Sequence, residues 1–200
     1  LVIRLMKFVE YLSFKFADHV LAINEPIKQL LAGRGLAPEK TTVIMNAVDE
    51  SLFAAAANGP KADASVPQPK FLMMYHGTLT RINGVDIAIE AFGHAHPQMP
   101  GAEFWILGSG TEKAALETRV KELGLEIQVP FKGNVLPDEV PLWLKRSDIG
   151  VLATRQDVFL DFSFSNKLSE YIIMDKAVIV SRLKAIRHYF GEDSLAFFEP

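Results

Sequence analysis

The sequence contains no cysteine, and this absence excludes several kinds of chemistry. Without thiols the protein forms no disulfide bonds and offers neither thiolate zinc ligands nor a cysteine nucleophile. A reducing compartment is compatible with such a composition. The sequence also has no Asn-x-Ser/Thr acceptor for N-glycosylation and no Asp-x-Asp pair to hold a metal ion at a diphosphate. The second absence favours chemistry that works without a metal.

An excess of positive charge is lacking as well. The chain carries 21 Lys and Arg against 24 Asp and Glu, a formal net charge of -3 at pH 7. Nucleic-acid modules usually present a basic surface, so a generic binder of phosphate backbones is excluded and nucleic acid is not an expected partner. Any phosphate site must therefore be local.

The N-terminal segment offers no long apolar run. Arg4 and Lys7 interrupt the residues from Leu1 to Val9, which are too few and too charged for a spanning helix. We predict an amphipathic helix there. The first residue is not Met and the segment Ser194 to Pro200 stops in an apolar run, so we expect a chain cut from a longer protein.

Short apolar runs are abundant. Hydrophobic residues make up 49% of the chain and charged residues 22%, which is enough to bury a core. From Phe71 onward these runs alternate with stretches of helical period. The runs Phe71–Tyr75 and Ile149–Ala153 are apolar on both faces, as strands covered by helices on both sides must be. The alternation predicts an α/β fold with a doubly wound, Rossmann-like parallel sheet.

Local signals mark the ends of the predicted helices. Ser109 and Glu112 have the spacing of a capping box, Gly124 is placed to end that helix, and Asp138 is placed to cap the next.

The segment before Phe71 has its own elements. We predict strands at His19–Ile23 and Thr42–Met45, with a helix at Pro26–Arg34 between them. Residues 54–69 are rich in Ala, Pro and polar side chains without periodicity, which predicts a linker. The chain then divides into residues 1–53, the linker 54–69 and a domain at 70–200.

Four segments together resemble a known family of sugar-transferring enzymes. They are Ala17–Phe53 with its Asn-Ala-Val-Asp turn, YHGTLTRINGVDIAIEAF from Tyr75, FWILGSGTEKAALE from Phe104 and FSFSNKLSEYIIMDKAVIVS from Phe162. In order and spacing they resemble glycosyltransferase family 4, whose members have the GT-B fold.

The resemblance implies a function and a place in a larger molecule. Residues 70–200 would be the nucleotide-sugar-binding C-terminal half of a GT-B fold, and residues 1–53 the tail of the acceptor-binding N-terminal domain. The enzyme would transfer a sugar from a nucleotide diphosphate sugar, with retention, to a glycan, lipid or small-molecule acceptor. We expect polysaccharide or glycoconjugate biosynthesis in the cytoplasm, with peripheral attachment to the inner membrane face left open.

The loop after the first strand of this domain has the residues of a diphosphate site. Gly77 follows an apolar strand and Gly84 opens a helix, so backbone amides can approach an anion at the positive helix end. An ordinary strand-to-helix turn is the alternative. The resemblance makes Thr78 a donor-binding residue in place of the family's usual Arg, and Asn83 replaces a usual Lys. Arg81 is then the one charge in the loop.

A second cluster combines a cation and a carboxylate within one helical turn. Ser165, Asn166 and Lys167 are expected to open a helix whose amides, together with the lysine, suit phosphates. Glu170 lies three residues after Lys167 on the same face and can accept hydrogen bonds from two ribose hydroxyls. The resemblance matches Glu170 to the second Glu of the family's Glu-x7-Glu motif. The alternative is a surface ion pair.

The donor sugar is expected near the segment before that helix. The first Glu of the motif is replaced by Phe162, beside Asp161, so the family's contact to the sugar is absent or displaced. Ser163, Phe164 and Ser165 stand where the family uses backbone amides near the sugar.

Two further loops have weaker signals. Asn134 and Val135 match the family's loop that cradles the nucleotide base, and a simple turn before a helix is the alternative. Gly108 and Gly110 are expected to be structural, because no Lys-Ser/Thr follows them as in a P-loop.

No metal and no other cofactor is predicted. We expect His94, His96 and His188 to be ordinary helix residues. Negative charge on the leaving diphosphate would be stabilised by helix ends and by Lys167 and Arg81, the two residues assigned to catalysis.

Two other functions compete with sugar transfer. A GT-B-type epimerase or hydrolase would bind the same donor but needs an acid-base pair, which this half does not obviously contain. A degenerate, non-catalytic nucleotide-sugar-binding domain is suggested by Thr78, Asn83 and Phe162. Failure to bind any nucleotide diphosphate would favour the degenerate domain.

Overall fold

The N-terminal segment forms a small βαβ unit flanked by helices. The computed structural model describes residues 1–59 and 68–200. The first range contains helices and strands in the order α1 (Val2–Phe16), β1 (Val20–Ala22), α2 (Glu25–Gly33), β2 (Thr41–Val43) and α3 (Glu50–Asn58). β1 and β2 pair in parallel, and α2 connects them. The two strands and the helix predicted here are confirmed.

α1 is a longer helix than the predicted one and lies on the surface. Each of its fifteen residues is described and none is buried. Glu10 forms an ion pair with Arg34, just after α2, at 2.9 Å. Across residues 1–59 and 68–200, no helix has both the length and the apolar composition that crossing a bilayer requires.

A parallel sheet organises the rest of the chain. Within the described residues its six strands are β3 (Phe71–His76), β4 (Ala102–Leu107), β5 (Phe131–Gly133), β6 (Ile149–Leu152), β7 (Ala177–Ser181) and β8 (Ala196–Phe198). The helices between them are α4 (Val85–Ala95), α5 (Lys113–Glu122), α6 (Val140–Arg146), α7 (Asn166–Ile173) and α8 (Lys184–Tyr189). The predicted alternation of strands and helices is confirmed.

The central strands are apolar throughout because both faces of the sheet are covered. In β3, Met73 and Tyr75 belong to a core with α4 and α5. Leu72 and Met74 belong to the opposite core, with α3, α6, α7 and α8. Successive side chains of a strand point to opposite faces, so a strand between two helical layers carries apolar residues at every position. The predicted doubly wound, Rossmann-like fold is confirmed.

The strand order indicates the part of the sheet where a ligand is expected to bind. The order is β5-β4-β3-β6-β7-β8, so the chain runs outward from β3 in one direction and from β6 in the other. β3 and β6 are neighbours at the centre, with Met73 opposite Ile149. In open α/β sheets the crevice at such a switch point, beyond the carboxyl ends of the strands, is the usual binding position.

The predicted capping box of α5 is wrong. The N-cap of α5 is Glu112, which makes no capping hydrogen bond through its side chain to any described residue. Ser109 lies earlier, and its carbonyl oxygen accepts a hydrogen bond from the Leu79 amide at 2.9 Å. The loop after β4 therefore pairs with the loop after β3 before the helix begins, which removes Ser109 from the cap position.

Asp138 does not cap α6 either. The N-cap of α6 is Glu139, whose carboxylate accepts a hydrogen bond from the Leu136 amide at 3.0 Å. Pro141 in the first turn has no N–H that needs a cap. By contrast, Gly124 ends α5 as predicted, with a φ of 66° in the left-handed region.

Part of the predicted linker is helical. Residues 54–58 lie in α3 rather than in an irregular segment, and residues 60–67 lie outside the described residues. The side chain of Asp49 caps α3 at its first amides. Phe53 is buried in the same core as α6 and α7. Alanine is the best helix former, so an alanine-rich stretch with a cap and an apolar anchor forms a helix. The domain boundaries themselves stay predictions.

Candidate functional site

The loop after β3 lies at the carboxyl edge of the sheet. At Gly77 the backbone adopts a φ of 124°, a conformation that side-chain-bearing residues rarely accept. A Cβ placed there would lie 2.2 Å from Cε of Lys167. The backbone conformation therefore favours glycine at position 77, and a larger residue would also displace the flexible end of the Lys167 side chain.

Two other glycines bring neighbouring loops into close contact. A Cβ at Gly84 would lie 1.8 Å from the carbonyl oxygen of Ala153, so the start of α4 touches the end of β6. A Cβ at Gly108 would lie 1.9 Å from the carbonyl oxygen of Gly77. The loops after β3, β4 and β6 are thus packed backbone to backbone at the switch point.

α7 begins where its sequence predicted and directs a lysine toward this edge. Its first residue is Asn166, and Ser165 is the N-cap, which makes no side-chain capping bond within the described chain. The Lys167 Nζ lies 5.9 Å from the centre of the Tyr75 ring. Burial lowers the pKa of Lys167 from its ordinary value, and the charge of nearby Glu170 opposes that decrease.

Glu170 is held by a histidine that the sequence analysis missed. Nε2 of His76, the last residue of β3, lies 2.5 Å from Oε2 of Glu170. Nδ1 of the same ring lies 3.1 Å from the hydroxyl of Tyr171. The signal for His76 was a polar residue ending an apolar strand directly before Gly77. Its partner is 94 residues away in sequence, so the fold was needed to identify the pair.

A cavity of about 250 Å³ opens beside these groups. Its walls come from the ends of β3 and β4 and from the segment after β5: His76, Gly77, Thr78, Leu107, Gly108, Ser109, Asn134, Val135 and Val140. The structure therefore brings together four of the predicted donor-binding residues, Gly77, Thr78, Asn134 and Val135.

Arg81 lies apart from the cavity. It begins a 3₁₀ turn, Arg81–Asn83, its side chain is exposed, and it is not among the described residues that line the cavity. Its carbonyl oxygen accepts a hydrogen bond from Nε of Arg155 at 3.1 Å. The side-chain amide of Asn83 donates to the Thr78 carbonyl oxygen at 2.7 Å. Asn83 thus fixes the backbone of the loop instead of supplying charge to it.

The segment before α7 borders a second cleft. Phe162 and Asp161 line this cleft of about 680 Å³, together with residues of α2 and α8. Asp161 accepts a hydrogen bond from the Lys184 amide at 2.9 Å and pairs with its Nζ at 3.1 Å. Burial alone would raise the pKa of Asp161, but hydrogen bonds from Lys184 and Gln156 hold it below its ordinary value.

The same segment is attached to the N-terminal unit. The fully buried side chain of Asn24 donates to the Phe162 carbonyl oxygen at 2.8 Å and accepts from the Ile27 amide at 2.9 Å. Phe164 stacks against Phe190 with ring centres 6.3 Å apart. Ser163, Phe164 and Ser165 therefore lie between the cleft and α7, and none of the three is among the described residues lining the smaller cavity.

The arrangement is suited to a molecule with phosphates and hydroxyls. Lys167 and the first amides of α7 offer positive charge, and Glu170 offers acceptors. His94 and His96 lie at the end of α4, and His188 lies in α8. The described ranges contain no group of three or more His, Asp or Glu side chains able to hold a metal ion.

Comparison with known proteins gives a family match and a likeness to curated sequences. The model of the family "Glycosyl transferases group 1" matches residues 70–199. A curated relative, the glycogen synthase of Mycobacterium tuberculosis, is 28% identical over 138 residues, which are 69% of this chain and 31% of the relative. The chain therefore spans about a third of the length of the curated relatives it matches.

Solved structures share the fold. Anabaena Alr3699/HepE in complex with UDP and glucose superimposes with a TM-score of 0.77 at 20% identity, over 97% of this chain and 52% of that one. The C-terminal domain of a glycosyl transferase group 1 family protein (LpcC) from Francisella tularensis gives a TM-score of 0.62 at 22% identity, over 76% of this chain and 80% of that one. The chain thus has the fold of the C-terminal half of a GT-B protein.

Proposed function

The chain belongs to the glycosyl transferases group 1 family, and from this premise we propose that it is the donor-binding half of an enzyme that transfers a sugar from a nucleoside diphosphate sugar. The narrower assignment to family 4 is part of the proposal. The placement of Lys167 and Glu170 carries it, because the two lie one turn apart at the start of α7, beside Gly77. A cation and a carboxylate at that spacing suit a diphosphate and the ribose next to it.

Each part of the donor has a proposed partner. Lys167 and the amides around Gly77 bind the diphosphate, and the Glu170 carboxylate accepts hydrogen bonds from the ribose hydroxyls. Asn134 and Val135 lie beside the base. HepE, which shares this fold, was solved with UDP and glucose, which supports a nucleotide as the ligand. The sugar would extend toward Phe162 and the larger cleft.

The reaction separates charge at the diphosphate. The bond from the sugar C1 to the diphosphate oxygen breaks, a bond from C1 to an acceptor oxygen forms, and the acceptor hydroxyl passes its proton to the leaving diphosphate. The electron pair of the broken bond stays on the diphosphate, where Lys167 and the positive end of α7 stabilise it. Retention of configuration and an acceptor held by a second domain complete the proposal, with Arg81 contributing if the loop rearranges around the donor.

Calorimetric titration of the chain with UDP, GDP and ADP tests the proposal. We expect weak binding of at least one nucleotide, and Glu170→Gln should weaken it. The matched control is Glu117→Gln, because Glu117 also pairs with a helical lysine, Lys113, at 3.5 Å on the exposed face of α5. No heat from any nucleotide at millimolar concentration would reject the proposal.

A second candidate function is a degenerate binding domain without catalysis. Thr78, Asn83 and Phe162 favour it, because all three stand where the resemblance expects charged residues. The Asn83 side chain is hydrogen-bonded to the Thr78 carbonyl oxygen of the loop. Phe162 has no carboxylate that could bind a sugar. Sugar transfer by the complete two-domain protein, abolished by Lys167→Ala, would exclude this candidate. An epimerase would instead interconvert donor sugars without any acceptor.

A further inference from the structure

His76 occupies the junction between the proposed phosphate loop and the proposed ribose carboxylate. Its side chain is 6% exposed and that of Glu170 is 23% exposed. The His76 ring lies edge-on to the Tyr171 ring, with centres 5.0 Å apart. Tyr171 fits there because Gly150 has no side chain, since a Cβ on Gly150 would lie 2.6 Å from the tyrosine ring.

The hydrogen bonds around His76 determine where its protons lie. The Tyr171 hydroxyl donates its single proton to the Met74 carbonyl oxygen at 2.8 Å, because a carbonyl only accepts. It must therefore accept from Nδ1 of His76, so Nδ1 carries a proton. Nε2 lies 2.5 Å from a carboxylate oxygen of Glu170, a distance that requires a second proton between them. Together these contacts indicate an imidazolium paired with a carboxylate.

Few other ionisable groups surround this pair. From α7 they are Lys167 and Tyr171, and burial raises the pKa of Tyr171 well above its ordinary value. Tyr75, the preceding residue of β3, belongs to the opposite core. The loops after β4 and β5 contribute only uncharged residues to the described cavity wall. Among the described residues lining that cavity, His76 is the one with a titratable side chain.

We propose that His76, as an imidazolium, is a positioning residue that holds Glu170 in one orientation and adds positive charge beside Gly77, so that nucleotide binding depends on pH. This inference rests on the proposed function of the site. The imidazolium occupies one lone pair of Oε2, which leaves Oε1 for ribose hydroxyls. Its charge lies in a loop where Thr78 offers none.

The direction of the pH dependence follows from the geometry. When Nε2 loses its proton, its lone pair faces the Glu170 carboxylate, and the two repel each other. Glu170 then loses its fixed orientation, and the cavity loses a positive charge. Nucleotide affinity should therefore be higher while His76 is protonated and should fall as the pH rises past the point where it deprotonates.

The test compares UDP binding by three forms of the chain across pH. Across the pH range in which the chain stays folded, the ratio of wild-type to His76→Gln affinity should fall about tenfold as the pH rises. His76→Gln keeps an N–H donor near Glu170 without a titrating charge, and His94→Gln alters an exposed histidine. The UDP terminal phosphate itself titrates near pH 6, so the ratio of wild-type to variant affinity at each pH is the measured quantity.

The expected outcome is a ratio that falls with pH for His76→Gln and stays flat for His94→Gln. A flat ratio for His76→Gln, with UDP bound normally by the wild type, would overturn this inference and leave the proposed function intact. Absence of UDP, GDP and ADP binding by the wild type at every pH would overturn the proposed function, and with it the role of His76.

A second measurement needs no variant at His76. Long-range ¹H–¹⁵N spectra distinguish an imidazole protonated on one nitrogen from one protonated on both. In the unmutated chain at neutral pH, both His76 nitrogens should be protonated because Nε2 faces the Glu170 carboxylate, and in Glu170→Gln that state should be lost. A neutral His76 in the unmutated chain would overturn the proton assignment.

Discussion

Residues at the carboxyl edge of the sheet have two roles. Each packs against its neighbours, and each keeps a group available for a ligand. Glu170 has one oxygen bonded to His76 and the other available. Lys167 covers Gly77 and is substantially buried, so its charge is poorly solvated before a ligand arrives. A diphosphate would add negative charge beside this lysine to the charge that Glu170 already provides.

Glu170→Gln should weaken nucleotide binding by about 1.5–3 kcal/mol, because charge-assisted hydrogen bonds to hydroxyls become neutral ones. Titration with ribo- and 2'-deoxynucleotides measures this. The loss should be smaller for the deoxynucleotide, which already lacks one hydroxyl. Equal losses on both ligands would show that Glu170 does not contact the ribose.

Lys167→Ala should weaken binding about tenfold at low salt, because it removes a charge from the diphosphate. The loss should shrink as sodium chloride is added and should be the same for ribo- and deoxynucleotides. Lys113→Ala on α5 is the control and should leave affinity unchanged. If Lys167→Ala lowers nucleotide affinity by the same factor at every salt concentration, an electrostatic role is contradicted.

Gly77→Ala should destabilise the fold by about 1–3 kcal/mol, because of its positive φ and the overlap with Lys167. Urea unfolding measures the change. Gly33→Ala is the control, since a Cβ at Gly33 meets nothing within 4 Å at the end of α2. Similar stabilities of the two variants would argue against a left-handed backbone at Gly77.

At the scale of elements, a single side chain joins two segments far apart in sequence. Asn24 caps α2 and also holds the Phe162 carbonyl oxygen, so the βαβ unit and the segment before α7 share one buried amide. Asn24 therefore ties Phe162, which lines the larger cleft, to α2, which lines it as well.

Asn24→Ala should destabilise the protein by about 1–3 kcal/mol, because it removes a helix cap and leaves the part-buried Phe162 carbonyl oxygen without its donor. Asn24→Asp keeps the cap acceptor but cannot donate to Phe162. Comparing the two by urea unfolding separates the contributions. If Asn24→Asp matches the wild type, the contact to Phe162 contributes nothing.

The elements also show what the sequence could predict. Apolar runs identified the strands, because covering helices demand apolar residues on both faces, and the start of α7 followed from Ser165 to Lys167. Ser109 and Asp138 failed as caps because contacts with other loops decide where their helices begin. His76 was missed because the strand order brings it to Glu170, and nothing local indicates that partner.

At the scale of the whole molecule, the cavity is one side of a site. The chain spans 52% of the length of HepE and 31% of the glycogen synthase it matches. Under the proposed function, the carboxyl edge of the sheet would supply the phosphate and ribose contacts, and the acceptor contacts would belong to a second domain.

This chain alone should bind a nucleotide diphosphate and transfer no sugar, because proximity of donor and acceptor needs both domains. An assay with UDP-glucose or GDP-mannose and a panel of acceptors checks the second part. Binding should persist in EDTA, since the proposed contacts are side chains and amides. Transfer by the pure chain, or binding lost in EDTA and restored by magnesium, would contradict these expectations.

The pairing of β3 with β6 has a consequence for how the protein folds. Met73 lies opposite Ile149, whereas β3 with β4 and β6 with β7 pair over shorter stretches of sequence. Closing the longer loop costs more chain entropy, so each half of the sheet can form before the two halves join. His76 and Glu170 come from different halves. The site at the carboxyl edge therefore needs both halves of the sheet, because it is complete only once β3 and β6 have paired.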